Sequence, residues 1–510
     1  MRSFALLLFF AFVLLNGQRV CAQAAENADT SAAISQVERN LVGATHVEGD
    51  DPMLLSERMA YYHVKGVSIA VIHNYKMEWA KGYGWADEDL KRPVTAQTVF
   101  QAASISKSLN SVGVLKLVQD KKLDLYTDIN NYLRSGKEPI STQNTDSYML
   151  INGAQLNWKF PYDSLSKNKK ITVANLLSHT GGLTVHGFAG YEKGMDIPGI
   201  VQVLNGKPPA NSKPVRSMYE PGLKFEYSGG GITITQLIVT IIAREPYEKY
   251  MEENVLKPLG MLGSTYFQFP SALKPLMATG YYANGTEVPG KHHIYPEQAA
   301  AGLWTNPTDL SKYIIETQLA YEGRSHKVLT QQITKLRLTP YVDKQTALGV
   351  FIEDFDGTKY FGHGGSNEGF RSQYYGSLQD GNGVVVMVNS DNGNIIPEIV
   401  NSVAKVYGFK GLYRSKLVKT SMLKVADSIL QSYTGKYELA PDFILTITKN
   451  GTQLFGQPTG KSKFALFPET ENKFSIKEED IEIEFVKGDK GTIEKAVLYQ
   501  NGPHEARKIK

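Results

Sequence analysis

The spacing of apolar residues changes character along the first quarter of the chain. Residues 25 to about 60 are polar at first and then carry apolar residues at helical spacing. Two strand-like runs follow, Val67–Ile72 and Met77–Gly84, and the four-residue connection between them predicts a hairpin. From Ser104 to Lys121 apolar residues return at helical spacing along one broad face, which predicts a helix.

The middle of the chain is less regular. The segment from about 134 to 170 is rich in Ser, Thr, Asn and Lys, a composition that predicts a long loop or an insertion. The apolar run Ile232–Ile242 is rich enough in β-branched residues to form a strand, but its length equally fits a buried helix. Periodicity alone does not decide between these two structures.

Strands return in the second half of the chain and are followed by a helix. The strand-like runs are Ala347–Ile352, Lys359–Phe361, Phe370–Leu378 and Val384–Val388. Residues 380–383 predict a turn before the last run, and Ile396–Val406 has helical spacing. A sheet whose strands come from both ends of the chain, with helices between them, is an α+β arrangement.

The last 80 residues differ from the rest in composition and in period. Of residues 431–510, 24 are charged, which is 30% against 21% for the whole chain. Apolar and polar residues alternate with period two over stretches such as 481–485, which indicates antiparallel strands. We therefore predict one large domain over 25–412, a linker over 413–430 and a small antiparallel β-domain over 431–510.

The N-terminus has the pattern of a secretory signal peptide. Arg2 precedes the apolar run Phe4–Leu15, and the small-x-small triplet Ala22-Gln23-Ala24 predicts cleavage after Ala24. The run is too short for an ordinary membrane span, and an uncleaved anchor is the alternative. We expect residues 1–24 to be removed and the protein to be exported, either periplasmic or secreted. Cys21 would be lost with the leader, and it is the one Cys of the chain.

Composition and charge exclude several classes of function. The 510 residues carry 55 Lys and Arg against 51 Asp and Glu, with no basic block, so a nucleic-acid partner is not indicated. A single Cys excludes a disulfide scaffold and a Cys-rich zinc site, and no His-Glu-x-x-His sequence occurs. We predict no metal or organic cofactor. The oligomeric state stays open.

A Ser-x-x-Lys sequence at Ser104-Ile105-Ser106-Lys107 is the first candidate for chemistry. The same spacing recurs elsewhere, but only Ser104 opens a strongly apolar helix. Residues i and i+3 share one face of a helix, so Lys107 would lie beside Ser104. A serine hydroxyl needs such an adjacent base to become a nucleophile. The alternative role for Ser104 is that of a helix N-cap.

Two further boxes follow in order, Tyr227-Ser228-Gly229 and His363-Gly364-Gly365. With Ser-x-x-Lys they resemble the penicillin-binding-protein and class C β-lactamase superfamily of acyl-transferring enzymes. Other stretches that match this superfamily are Leu176–Leu183, Pro258–Met261 and Ala301–Thr305. The resemblance spans roughly residues 40–410. It implies a β-lactamase/transpeptidase-like antiparallel sheet flanked by a helical region.

The resemblance also implies a role for each residue of the site. Ser104 would be the nucleophile, and Lys107 and Tyr227 would form the proton-transfer system. The backbone N–H groups of Ser104 and Ser366 would form the oxyanion hole. His363 would complete the catalytic set, rather than His179, which belongs to the Leu176–Leu183 stretch and precedes the tyrosine box.

Glycines next to His363 have a role of their own in this interpretation. Gly364 and Gly365 would bind substrate by letting its backbone approach a strand edge closely. The C-terminal domain resembles the small lipocalin-like β-domains of some superfamily members, so we expect a β-barrel-like structure there. We assign it no chemistry.

Two departures from the family pattern bear on the substrate. The third box is His-Gly-Gly where typical β-lactamases have Lys-Thr-Gly, which resembles carboxypeptidase, esterase and D-aminopeptidase members more closely. Gly229 stands where Asn is usual, which argues against efficient β-lactam hydrolysis.

The leading hypothesis is therefore an exported serine hydrolase that cleaves an amide or ester in a small-molecule or peptide substrate. Peptidase or carboxypeptidase activity on D-amino-acid or cell-wall-like peptides comes first, followed by esterase and then β-lactamase activity. A degenerate penicillin-binding-type protein that holds a ligand without turnover is the competing hypothesis.

Overall fold

The computed structural model describes residues 29–49, 51–133, 156, 158–167, 169–418, 424–461, 463–477, 479–500 and 502–509. The predicted signal peptide and most of the predicted 134–170 loop lie outside these residues. The contacts divide the chain into two compact units. One unit runs from Met59 to Ile396, and the other combines the residues up to Arg58 with those from Pro397 onward. The domain boundary at residue 412 stays a prediction.

The secondary structure alternates between the two classes along the chain. Its helices are α1 (29–39), α2 (Leu55–Tyr61), α3 (Ser106–Gln119), α4 (Val173–Leu177), α5 (Ile200–Asn205), α6 (Gly229–Ala243), α7 (Tyr247–Met251), α8 (Lys257–Leu259), α9 (Gln298–Ala301), α10 (Pro307–Glu322), α11 (Gln331–Arg337), α12 (Ile395–Tyr407) and α13 (Asp427–Tyr433). Its strands are β1 (Thr45–Val47), β2 (Gly66–His73), β3 (Lys76–Asp87), β4 (Arg92–Pro93), β5 (Phe100–Gln101), β6 (Trp304–Thr305), β7 (Phe351–Phe355), β8 (Thr358–Asn367), β9 (Phe370–Ser377), β10 (Gly383–Val388), β11 (Lys416–Val418), β12 (Gly435–Ala440), β13 (Phe443–Asn450), β14 (Gln453–Pro458), β15 (Phe464–Pro468), β16 (Lys473–Ser475), β17 (Glu482–Lys487), β18 (Ile493–Tyr499) and β19 (Pro503–Lys508).

A seven-stranded antiparallel sheet organises the larger unit, in the order β4-β3-β2-β10-β9-β8-β7. Strands from the two ends of the chain meet at its centre, where Val67 on β2 lies opposite Val388 on β10. The hydrophobic residues of β2 and β10 are buried at 0% exposure, because elements cover both faces of these central strands. The predicted α+β class and the antiparallel sheet flanked by helices are confirmed.

The ambiguous run Ile232–Ile242 is part of α6, and its lack of amphipathic pattern has a physical reason. The helix is buried from Gly229 to Thr240, so no face needs polar residues. Its start is determined by Ser228, whose hydroxyl accepts a hydrogen bond from the Gly231 N–H at 2.9 Å. The helix is therefore internal up to Thr240, and its last turn is half-buried.

The strand predicted over Ala347–Ile352 is only partly correct. β7 begins at Phe351, and residues 347–350 form a buried turn closed by a 3.0 Å hydrogen bond from the Ala347 N–H to the Val350 carbonyl. Gly349 has a φ of 79°, a conformation that glycine adopts without a Cβ clash. Residues 347–350 are buried but do not form part of a strand, which explains why their apolar sequence resembled one. The hairpin predicted in the first quarter of the chain is confirmed as β2–β3, and the other strands predicted in the second half are confirmed as β8, β9 and β10.

The second unit contains a closed antiparallel barrel formed by β12–β19. Apolar side chains of alternate residues fill it, and Tyr433 of α13 stacks on Phe485 with ring centroids 4.3 Å apart. The predicted C-terminal β-barrel-like domain is confirmed. In the same unit Arg58 and Glu398 form a buried ion pair. Among the helices described, none has the length and apolarity that a membrane crossing requires.

Candidate active site

Ser104 lies in a tight turn immediately before α3. A 3-10 turn over Ala103–Ile105 leads into the helix, and Ala103 has a φ of 50°, which is unusual for a residue with a Cβ. The side chain of Ser106 stabilises this turn by donating to the Ala103 carbonyl at 2.5 Å and accepting from the Leu303 N–H at 2.9 Å. Ser104 does not cap α3, whose N-cap position is Ile105. Its hydroxyl is therefore available for chemistry, and it is half-buried.

Lys107 lies one turn further along, with its side chain against Ser104. The Nζ atom is 2.9 Å from Ser104 Oγ and 2.7 Å from the carbonyl oxygen of Ala300 on α9. Only 2% of the residue is exposed. Both of these partners are uncharged, and the second holds the amine in place from another part of the chain. The predicted Ser104–Lys107 pair is brought together by the structure.

Tyr227 is held beside this pair by an extended segment that precedes α6. Its ring centroid lies 5.0 Å from Lys107 Nζ. On either side of it, the Glu226 N–H donates to the His179 carbonyl at 2.8 Å and the Ser228 N–H donates to His179 Nδ1 at 3.2 Å. Tyr227 is half-buried and faces the site rather than the core. His179 therefore holds both residues that flank Tyr227.

His363 of β8 lies near the same ring. The centroids of the His363 and Tyr227 rings are 6.2 Å apart, and those of His363 and Phe351 are 5.1 Å apart. His363 Nδ1 donates to the Gly364 carbonyl at 2.6 Å, which leaves Nε2 as the unprotonated nitrogen, buried and without a hydrogen bond to any residue that the structure describes. Burial, and secondarily the charge of Lys107, lowers the pKa of His363 to about 3. The imidazole is therefore neutral at ordinary pH.

The second histidine near the site is also uncharged. Burial lowers the pKa of His179 well below its usual value, and the charge of Lys107 lowers it further. Its ring stacks on Tyr227 with centroids 4.3 Å apart. Two neutral imidazoles thus surround the tyrosine.

One edge of β8 is open next to Ser104. Pairing with β7 ends at Phe351 and Gly362, whereas pairing with β9 continues to Asn367. In the described part of the chain, His363 to Ser366 therefore have a strand neighbour on one side only. An open edge of this kind can bind an extended substrate through its main chain.

The glycines of the third box bring this edge close to the nucleophile. A Cβ at Gly365 would overlap the Ala102 carbonyl oxygen, which directly precedes the nucleophile turn. A Cβ at Gly364 would lie 2.8 Å from the end of the Gln373 side chain. Ser366 is exposed on the same strand. The oxyanion-hole role of the Ser104 and Ser366 N–H groups stays a prediction.

Three contributors to the site were not found from the sequence. The Ala300 carbonyl acts through its backbone, so no side-chain signal exists. Phe351 was assigned to a strand without a role in the site. His186 lies with its ring centroid 4.8 Å from that of Tyr227; its closeness in sequence to the Leu176–Leu183 stretch was the available signal. Among the residues described, no group of three or more His, Cys, Asp or Glu side chains is placed to hold a metal ion.

Comparison with known proteins finds relatives in sequence and structures of similar fold. The protein named Flp from Staphylococcus aureus strain N315 is 25% identical over 398 residues, which cover 76% of this chain and 69% of Flp. The octameric penicillin-binding protein homologue from Pyrococcus abyssi has a TM-score of 0.58 at 21% identity, covering 89% of this chain and 98% of its own. The D-amino acid amidase from Ochrobactrum anthropi SV3 has a TM-score of 0.54 at 19% identity, covering 74% and 99%. These two structures show the same fold.

The family itself is shown by a match over most of the chain. The β-lactamase family profile matches residues 53–398. This range contains the nucleophile turn, the tyrosine segment and the open edge of β8 described above. The protein belongs to the β-lactamase family.

Proposed function

We propose that the protein is a serine hydrolase that cleaves an amide or ester bond through an acyl-Ser104 intermediate. The observation that carries the proposal is the 2.9 Å contact between Ser104 Oγ and Lys107 Nζ beside the open edge of β8. A buried amine in hydrogen-bond contact with a serine hydroxyl is the arrangement that activates the hydroxyl. Tyr227, in the segment that precedes α6, is the third member of this proposed catalytic group.

The proposed reaction has two proton-balanced steps. The Ser104 oxygen attacks the substrate carbonyl carbon, and its proton passes to the pair formed by Lys107 and Tyr227. That pair then protonates the departing amine or alcohol as the acyl ester forms. In the second step water attacks the ester and gives a proton to the same pair. Ser104 recovers that proton when the acid product leaves.

The proposed substrate lies extended along β8. Its main chain would pair with the edge from His363 to Ser366, which places the scissile carbonyl over Ser104. We favour D-amino-acid or cell-wall-like peptides and amides, a choice supported by the His-Gly-Gly box and by the fold shared with a D-amino acid amidase. Carboxypeptidase activity belongs to this class, and esterase activity is the second candidate.

Gly229 places β-lactam hydrolysis third. A Cβ at this position would lie 3.0 Å from the His186 carbonyl oxygen and 3.1 Å from the Phe188 ring, so these neighbours would have to shift to admit a side chain. Gly229 also supplies no amide of the kind that usually ends the tyrosine box. Binding without turnover is the competing proposal, and the intact Ser104–Lys107–Tyr227 arrangement argues against it. We also propose that the protein is exported, from the pattern of residues 1–24.

A fluorescent acylating probe tests the proposal. The protein and Ser104→Ala are treated with the probe and then assayed with short esters, D-amino-acid amides and D-terminal peptides. We expect labelling and turnover in the protein and neither in the variant. Ser271→Ala is the matched control, because Ser271 begins another Ser-x-x-Lys sequence and is exposed. Equal labelling of Ser104→Ala would refute the assignment of Ser104 as the nucleophile. A stable adduct without turnover would favour the proposal that the protein binds a ligand without hydrolysing it.

A further inference from the structure

The tyrosine box ends in a glycine whose surroundings are filled by a different part of the chain. The carbonyls of Thr184, Val185 and His186 all point at the start of α6. They accept hydrogen bonds from Ser228 Oγ at 2.8 Å, from the Gly230 N–H at 3.0 Å and from the Gly229 N–H at 2.9 Å, respectively. We call residues 184–188 the site loop. It is joined to α6 at three consecutive residues.

The site loop is held in a strained conformation. Val185 has a φ of 66°, which is an outlier for a β-branched residue. Such strain persists only where the surrounding contacts impose it. Here the three hydrogen bonds to the start of α6 impose it. Strained residues of this kind cluster at functional sites, and the residue that follows Val185 is His186.

The consequence of this conformation is the position of the His186 side chain. The residue is exposed, and its ring lies 4.8 Å from the Tyr227 ring, centroid to centroid, at an interplanar angle of 44°. The histidine and lysine neighbours of the tyrosine ring other than His186, namely His179, His363 and Lys107, are buried. His186 therefore contacts the half-buried Tyr227 ring from the solvent-accessible part of the site.

We propose that His186 is a positioning residue of the reaction: the strained site loop holds its imidazole against the Tyr227 ring and thereby fixes the phenol hydroxyl toward Ser104. The inference rests on the proposed function. The contact is made at the rim of the site, from the exposed side of the Tyr227 ring. A base displaced by about 1 Å from its productive geometry loses on the order of 100-fold in rate.

His186→Ala tests the proposal, with Ser104-dependent turnover as the assay. We expect kcat to fall about tenfold or more while KM changes less than about threefold, because the ring orients a base rather than binding substrate. His186→Phe keeps a ring at this position and is expected to restore kcat to within about threefold of the unmodified protein. His326→Ala, which removes an exposed histidine elsewhere in the same unit, is the matched control and should leave both constants unchanged.

A second variant tests the connection between the site loop and α6. A Cβ at Gly229→Ala would press on the His186 carbonyl, while alanine favours the helix it begins. We expect this variant to lower kcat without lowering thermal stability. Its effect should largely disappear in the His186→Ala background, because both changes act through the same ring.

Three outcomes would overturn the inference. The first is an unchanged kcat in His186→Ala. The second is restoration by His186→Asn but not by His186→Phe, which would indicate a hydrogen bond to substrate. The third is full additivity of Gly229→Ala and His186→Ala. Failure of the proposed function is distinct from these, since it appears as turnover that survives Ser104→Ala.

Discussion

The Nζ atom of Lys107 lies 2.7 Å from the main-chain carbonyl of Ala300, although 193 residues separate them in the chain. Because this acceptor is a backbone atom, a substitution at position 300 removes it only if the substitution displaces α9. The contact leaves the amine 2.9 Å from the Ser104 hydroxyl. Lys107 thus has a defined position before substrate arrives, as a base on a buried helix requires.

Lys107→Met is expected to abolish acylation without unfolding the protein. Methionine keeps the unbranched apolar stem but removes the amine from the proton-transfer pair formed with Tyr227, so the rate of probe labelling should fall by about 10³-fold. Thermal stability should fall only modestly, because methionine fills the space of the lysine stem and only the Ala300 carbonyl loses this donor. Labelling time courses and melting curves check the two expectations. Rapid labelling of Lys107→Met would exclude the amine as part of the base.

Neighbouring glycines of β8 are expected to respond differently to the same substitution. In Gly365→Ala the new Cβ meets the rigid Ala102 carbonyl, so β8 must move away from the nucleophile turn. We expect a loss of about 1–3 kcal/mol in unfolding free energy and a strong loss of activity. Gly364→Ala is the matched control, because its Cβ meets only the end of the Gln373 side chain, which can turn away. Denaturant titration measures both, and equal effects would contradict this account.

Glu297 is expected to make the protein less stable as the pH rises. Its carboxyl is fully buried with neither oxygen hydrogen-bonded to the described residues, and burial raises its pKa to about 8. Between the unfolded value of 4.5 and about 8, the unfolded chain has lost this proton and the folded chain has kept it. The free energy of unfolding therefore falls with pH across this window, by on the order of 4 kcal/mol at pH 8.

Glu297→Gln removes the ionisable group and should flatten this dependence. Relative to the unmodified protein, the variant should become progressively more stable from pH 5 to pH 8. This gain in unfolding free energy should level off above pH 8. Asp196→Asn, at an exposed carboxyl, should run parallel to the unmodified protein. A Glu297→Gln curve that also runs parallel would show that this carboxyl ionises as it does in the unfolded chain.

His363 is expected to destabilise the protein on the acid side. Its pKa falls from 6.5 to about 3 on folding, mainly through burial. Below pH 6.5 the unfolded chain binds a proton at this histidine, whereas the folded chain does not bind it until about pH 3. The free energy of unfolding therefore decreases as the pH falls through this window. The size of the loss is on the order of a few kcal/mol. His363→Gln should reduce it, whereas His326→Gln, at an exposed site, should not.

Local patterns in the sequence predicted much of this molecule. The hairpin β2–β3, helix α3 and the alternating strands of the barrel follow from periodicity over fewer than 20 residues. Ser104 and Lys107 could be paired because three residues of helix place them on one face. The ambiguous run that became α6 and the buried turn before β7 show the limit of this reasoning. In both, complete burial removes the contrast between polar and apolar positions on which the prediction depends.

The sequence by itself determined the α+β class, the three ordered boxes and the serine that we propose as nucleophile, because each is written in adjacent or regularly spaced residues. Only the tertiary structure decided that Ala300 holds Lys107, that His186 contacts Tyr227 and that the buried Glu297 carboxyl has no hydrogen-bond partner among the described residues. These relationships join segments that meet only when the chain packs. Their energies depend on distance and on exclusion of water, neither of which is encoded locally.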